Sequence, residues 1–173
     1  MNSIIKKSLI IVIISILMNL AVEAQVKGDK AIGANTVLTS GGEVDLLGFG
    51  AKFRYNTSKL FRLESSYNYL FKKESVSSWD LYLNAHILIS LTDKFKVYPL
   101  AGIGILGYTY YPVISYDGGR DSYTRRGWKL GGGLDYSITK KLIFNFEYNY
   151  IWEALWNDAW GISYFNAGLV YRF

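Results

Sequence analysis

Apolar and polar residues alternate along most of the chain with a period of two, the spacing of a β-strand and not the 3.6 of a helix. The stretch Leu142–Trp152, LIFNFEYNYIW, shows this most cleanly. Leu142, Phe144, Phe146, Tyr148, Tyr150 and Trp152 share one face, and Ile143, Asn145, Glu147, Asn149 and Ile151 the other. In a second stretch Trp79, Leu81, Leu83, Ala85, Ile87, Ile89 and Leu91 alternate with Asp80, Tyr82, Asn84, His86, Leu88 and Ser90. The same rhythm predicts eight strands, at Lys30–Thr39, Val44–Tyr55, Lys59–Phe71, Trp79–Leu91, Phe95–Tyr110, Gly127–Ile138, Leu142–Trp152 and Ile162–Phe173. The first of them, around AIGANTVLT, alternates least well.

The connections fall into two sets. Thr-x-Lys followed by Leu or Phe recurs as Thr57-Ser58-Lys59-Leu60, Thr92-Asp93-Lys94-Phe95 and Thr139-Lys140-Lys141-Leu142, each copy short enough for a tight hairpin. The other connections are longer and irregular: Ser40–Glu43, Lys72–Ser78, Pro112–Arg126 and Glu153–Gly161. Short turns at one end and long loops at the other predict an all-β, eight-stranded antiparallel up-and-down barrel.

Alternation alone does not say which face looks inward, since a soluble ligand-carrying barrel alternates too. Volume decides. An eight-stranded barrel has an interior only just wide enough for side chains to fill it. Phe49, Phe53, Tyr55, Tyr67, Tyr69, Trp79, Trp128, Phe144, Phe146 and Phe165 would overfill it, whereas Gly48, Gly50, Ser66, Asn68, Asn84, Gly102, Gly104, Gly131, Gly133 and Asn145 on the other face fit. The charges agree. Lys52, Arg54, Arg62, Glu64, Asp80, Lys129, Asp135, Glu147 and Arg172 lie on the small-residue face. Turned into lipid they would cost on the order of 10 kcal/mol. Turned inward they are similar in number of each sign and can pair. The expectation is therefore a transmembrane barrel whose apolar face, ending in Tyr and Trp, meets lipid.

Composition adds little that changes this. Two Pro against 17 Gly and 15 Tyr suit a strand-rich chain, and the absence of Cys excludes disulfides and thiolate metal sites. Met1–Ala24 reads as an export signal: Lys6 and Lys7 precede the apolar run Leu9–Leu17, and Val22-Glu23-Ala24 places a small residue at the cut. The expected division is a signal peptide at 1–24 and a barrel domain at 25–173. Cleavage would turn 19 basic and 14 acidic residues into 17 and 13, a charge of about +4, too mild for a dedicated nucleic-acid binder.

The last segment runs Tyr164-Phe165-Asn166-Ala167-Gly168-Leu169-Val170-Tyr171-Arg172-Phe173, with Phe165, Ala167, Leu169, Tyr171 and the terminal Phe173 on one face. It resembles the closing strand of bacterial outer-membrane barrels, and the chain as a whole resembles the eight-stranded OmpX/OmpA-type group. The stretch ahead of Gln25 is similar to export signals of the Bacteroidota. The resemblance implies an outer-membrane location and contact with outer-membrane lipids and lipopolysaccharide. It also implies recognition of Tyr171 and Phe173 by the barrel-assembly machinery. The peptidoglycan-binding domain of full OmpA proteins is not expected.

Several constellations invite chemical readings. Gly102-Ile103-Gly104-Ile105-Leu106-Gly107 matches a dinucleotide fingerprint, but Tyr108-Thr109-Tyr110-Tyr111-Pro112 follows in place of the helix that would receive a pyrophosphate. His86 is the only histidine and shares a strand face with Ser90, a pairing similar to that of lipid-A-modifying barrels. Both are expected to face the bore, away from lipid, so a hydrogen-bonded interior histidine is expected and no enzyme is assigned. Lys52, Arg54, Arg62, Glu64, Asp80, His86, Lys129, Asp135, Glu147 and Arg172 form the expected lumenal polar network, a plug more than a pore lining. Arg120, Tyr123, Arg125, Arg126, Trp156 and Trp160 are the surface-loop candidates, for an unidentified ligand or for lipopolysaccharide phosphates. No cofactor is expected. The functional expectation is a structural or cell-surface interaction role, with a small-solute channel as the alternative and a lipid-modifying enzyme behind it. The sequon Asn56-Thr57-Ser58 falls in an expected periplasmic turn.

Overall fold

A computed structural model describes residues 27–42, 44–111, 120–153 and 161–173. The expected signal at 1–24 and the loop candidates Trp156 and Trp160 lie outside them. Among the described residues there are nine strand segments: β1 (Lys30–Ser40), β2 (Leu47–Asn56), β3 (Phe61–Lys73), β4 (Val76–Ile87), β5 (Ile89–Ser90), β6 (Phe95–Tyr110), β7 (Asp121–Ser137), β8 (Leu142–Glu153) and β9 (Gly161–Arg172). β5 carries the register of β4 on past Leu88: His86 faces Leu100 and Ile89 faces Val97. The two are one stave, so the barrel has eight. Every pairing is antiparallel, neighbours in sequence are neighbours in space, and the β4–β6 ladder together with the β1–β9 ladder leaves no open edge. A closed ring satisfies all backbone donors and acceptors internally, which hydrocarbon demands. A ten-residue strand at about 3.3 Å per residue, tilted by roughly 40°, rises about 25 Å, the height of an outer-membrane apolar band.

Side-chain exposure follows the predicted alternation. On β8, Phe144, Phe146 and Tyr148 are exposed while Ile143, Asn145, Glu147, Asn149 and Ile151 are buried. Leu83 and Trp128, exposed outside, sit one residue from Asn84 and Lys129, which are buried inside. The poorly alternating first segment is nevertheless a full strand, because β2 and β9 pair it on both sides.

The Thr-x-Lys repeat has a geometric cause. Thr92 Oγ1 accepts from the amides of Lys94 and Phe95 at 3.3 and 3.0 Å, and Thr139 Oγ1 from those of Lys141 and Leu142 at 3.2 and 2.9 Å. A hydroxyl here replaces the backbone partners that the turn cannot supply. In the first copy that position belongs to Ser58, not Thr57: Ser58 Oγ accepts from Leu60 and Phe61 at 3.2 and 3.0 Å.

In three places the boundaries differ from expectation by three residues or more. The connection at Lys72–Ser78 is not a long loop. Lys73 pairs with Val76 across a two-residue turn in which Glu74 (φ 48°) and Ser75 (φ 67°) are both left-handed, as the strand twist of a tight hairpin favours. β2 begins at Leu47 instead of Val44. β7 starts at Asp121 instead of Gly127, so Tyr123, Arg125 and Arg126 belong to a strand and not to a loop.

Candidate functional site

The bore is organised by height. Toward the short Thr-x-Lys turns lies a compact ion cluster of three cations (Lys52, Arg54, Arg62) and three carboxylates (Glu64, Asp135, Glu147), all buried. Glu147 accepts from Lys52 Nζ at 2.9 Å, Arg54 Nη2 at 2.8 Å and the Tyr98 hydroxyl at 2.8 Å. Arg54 Nε donates to Glu64 at 2.7 Å and its Nη1 to Asp135 at 3.1 Å. Arg62 Nη1 reaches Asp135 at 2.6 Å. Each charge has an opposite neighbour and at least one charge-assisted hydrogen bond, the condition under which a buried cluster is tolerable.

Tyr98 is the hub. Besides donating to Glu147, its hydroxyl accepts from Arg54 Nη2 at 3.2 Å and from Asn145 Nδ2 at 2.6 Å. Its ring stacks on His86 (4.7 Å, 6°), and the Arg62 guanidinium lies 4.4 Å from its centroid. His86 Nδ1 accepts from Arg62 Nε and Nη2 at 3.1 and 2.9 Å, while its Nε2 stands 4.0 Å from Glu64. The histidine is thus bound into the ion cluster by Arg62 and Tyr98, and Ser90 lies in the β5 pairing opposite Lys96. Arg172 sits at the rim of the bore on the side of the short turns, 3.9 Å from Asp29.

Farther out, polar layers give way to apolar ones. Asn68 Nδ2 donates to Asp80 at 2.8 Å, and Asn35 Nδ2 bridges Asn68 and Asn166 at 3.3 and 3.2 Å. Lys129 Nζ lies 4.0 Å from the Tyr82 ring centroid, a cation–π contact. Above these, Val37, Leu46, Leu70, Tyr82, Leu106, Ile151 and Tyr164 form a buried apolar cluster across the bore. Interior glycines make the room: a Cβ on Gly133 would stand 2.6 Å from the Tyr98 ring and 2.8 Å from Glu147 Cγ. The Gly102–Gly107 stretch lies wholly within β6, so its glycines serve packing and do not cradle a phosphate.

The apolar cluster floors a cup at the outer mouth, a cavity of about 250 Å³ with Leu46, Leu70 and Tyr164 below and Tyr108, Tyr110, Tyr123 and Arg125 at its side. Around the mouth Lys72, Lys73 and Arg120 are exposed, with Lys72 Nζ 4.0 Å and Arg120 Cζ 5.5 Å from the Tyr111 ring, whereas Arg126 is exposed on the outer face of β7, the face of Trp128, opposite Ile105. No group of three or more His, Cys, Asp or Glu among the described residues is arranged to hold a metal ion.

Of the sequence-derived candidates, the structure brings Lys52, Arg54, Arg62, Glu64, His86, Asp135 and Glu147 into one cluster. Asp80 and Lys129 lie in the polar layers above it, and Arg172 at the rim. Tyr98 and Asn145 were not among the named network residues. Their inward position was readable from alternation, but not their place at the network's centre.

An eight-stranded closed barrel with a greasy exterior and an ion-filled bore defines a transmembrane β-barrel. The family model of the outer membrane protein beta-barrel domain matches residues 8–173, and the chain belongs to that family. It is an outer-membrane protein. Among solved structures it resembles the Neisserial surface protein A, at 16% identity over 87% of this chain and 100% of that one, with a TM-score of 0.64. It also resembles the N-terminal barrel domain of Pseudomonas aeruginosa OprF (19%, 86% and 100%, TM-score 0.59). A third is Ail, the attachment invasion locus protein of Yersinia pestis, in complex with the heparin analogue sucrose octasulfate (18%, 86% and 100%, TM-score 0.58). These likenesses show the fold. No curated protein sequence matches the chain.

Proposed function

We propose that the protein is a non-enzymatic, non-conducting barrel that acts at the cell surface, binding anionic groups through its outer rim. The observation that carries this reading is the filled bore. A neutral ion cluster and an apolar layer occupy the inside of the staves, so the chemistry open to a partner lies at the mouth. There Lys72, Lys73 and Arg120 are exposed, two of them held against Tyr111. Lipopolysaccharide phosphates are the nearest anions such a rim would meet. Ail, whose fold is similar, forms a complex with the heparin analogue sucrose octasulfate, which supports the reading by analogy. Met1–Ala24 directs export and is removed, and Tyr171 with Phe173 presents the closing strand to the assembly machinery. Two measurements on the barrel in lipid nanodiscs test this. Sucrose octasulfate should bind, more weakly as salt rises, and Lys72→Gln, Lys73→Gln and Arg120→Gln together should abolish binding. Planar bilayers should show no steady single-channel current. Salt-insensitive binding, binding untouched by the triple change, or reproducible large conductance would each overturn the proposal.

A further inference from the structure

A threonine or serine hydroxyl closes each short turn, but the lysine side chain that recurs beside it has no acidic partner. Lys59, Lys94 and Lys141 occupy the same step of the three turns, and Lys140 adds a fourth ammonium. Lys27 and Lys30 stand at the same end, tied in by bonds from the Gly28 amide to the Asn56 carbonyl and from the Phe173 amide to the Lys30 carbonyl. All six lysines are exposed. Among the described residues none of their ammonium groups forms an ion pair or a hydrogen bond. The acids at this rim are Asp29 and Asp93, and Asp29 already faces Arg172 at 3.9 Å. Six lysines against two aspartates leave an excess of four positive charges, before Arg172 is counted. Such a field draws anions to the rim.

A second, independent observation says which anions. Just inside the lysines, the lipid-facing wall carries a girdle of exposed aromatic residues: Tyr55, Phe61, Tyr136, Tyr171 and Phe173. Aromatic girdles mark the level of the lipid headgroups. The lysines adjoin it directly. Lys59 precedes the exposed Leu60 and Phe61, and the exposed Ile138 leads into the turn that holds Lys140 and Lys141. The Lys141 ammonium lies 5.9 Å from the Tyr171 ring centroid, so it stands over the lipid-facing side of the wall and not over the bore. A lysine stem can lie along apolar surface while its head reaches the polar layer.

We propose that this ring of lysines binds the phosphates of anionic phospholipid in the leaflet on the side of the short turns. The hydroxyl of each repeat fixes the turn, and its lysine ties the turn to the headgroup layer. The site shares no residue with the rim at the long loops and does not depend on that reading.

The test is electron spin resonance of the full barrel in phosphatidylcholine bilayers holding a trace of chain-labelled phosphatidylglycerol or chain-labelled phosphatidylcholine. The motionally restricted fraction of each probe reports its association with the wall. Each lysine beside an anionic headgroup should multiply lipid affinity about fivefold, which averaged around the perimeter gives phosphatidylglycerol a preference of about twofold or more. Raising the salt should bring the ratio toward one. Lys59→Gln, Lys94→Gln, Lys140→Gln and Lys141→Gln together should remove the preference at low salt, whereas Arg at the same four positions should keep it. The Lys72, Lys73 and Arg120 changes should leave most of it. Should heat-modifiable gel mobility show that the glutamine variant does not fold, amide shifts of the native barrel in nanodiscs serve instead. Added phosphatidylglycerol should then move Lys59, Lys94, Lys141 and their neighbours first. Equal association of the two lipids, a preference that survives high salt or the glutamine variant, or shifts absent from these turns would overturn the proposal. So would polyglutamate binding at the turns without any preference for phosphatidylglycerol, which would assign a soluble acidic partner instead.

Discussion

Replacing Glu147 by Gln tests the ion cluster where it is most connected. Glu147 accepts two charge-assisted hydrogen bonds, from Lys52 and Arg54, and one from the Tyr98 hydroxyl. With three cations against three carboxylates the cluster is neutral, and the substitution leaves it one positive charge in excess in a buried bore. Losing one partner of a buried pair costs about 3–5 kcal/mol, most of it the penalty of the charge left behind. The amide oxygen of Gln retains part of the acceptor function, which places the expected loss near 3 kcal/mol. Lys52→Met combined with Glu147→Gln removes both members of the 2.9 Å pair and restores neutrality. The double variant should therefore lose less than the sum of the singles, by about 2 kcal/mol. Equilibrium urea unfolding in lipid vesicles, followed by tryptophan fluorescence, reads all four proteins. A single-variant loss below about 1 kcal/mol, or strict additivity, would refute the view that these charges are held by one another.

Other expectations follow from single sites. Glu74 and Ser75 occupy left-handed conformations, so Asn-Gly in their place should raise stability by about 1 kcal/mol in the same unfolding assay. Gly133→Ala places a Cβ 2.6 Å from the Tyr98 ring; it should cost about 2 kcal/mol by displacing the hub of the network. Leu83 is 64% exposed on the outer face, and Leu83→Arg should cost roughly 2–4 kcal/mol near the bilayer midplane, a cost that Leu83→Phe should not incur. Thr139→Val removes the acceptor for the Lys141 and Leu142 amides and should cost about 1 kcal/mol by the same measurement.

What was readable from the sequence was whatever depends on neighbours two residues apart. The inward Asn145 and Glu147 and the outward Phe144 and Phe146 were legible because a pleated strand fixes their faces whatever the rest of the chain does. The network's wiring was not legible. Arg54 reaches Glu64 on the adjoining strand but Asp135 and Glu147 across the bore, and distance across a barrel is set by closure and stagger, not by spacing in sequence. Tyr98 was hidden for the same reason: as a sequence position it is one inward tyrosine among several. The outer part of β7 escaped notice because Ser122, Thr124 and Arg126, which alternate with Tyr123 and Arg125, are polar, so the strand loses its apolar rhythm there. The hairpin at Glu74-Ser75 lacks the Gly or Asn that ordinarily marks such a turn, so a loop was expected. The cup was invisible too, since Ser78 and Tyr123 become neighbours only through the β4–β6–β7 ladder, in which each faces Tyr108.

The account stands on the sidedness of the wall, and the chain's lack of cysteine makes that directly measurable. Single cysteines placed in turn from Ile143 to Ile151 and carrying a nitroxide should report oxygen accessibility from the lipid phase. High values are predicted at positions 144, 146, 148 and 150, with low values at 143, 145, 147, 149 and 151. The reverse pattern, or one with no period of two, would contradict it.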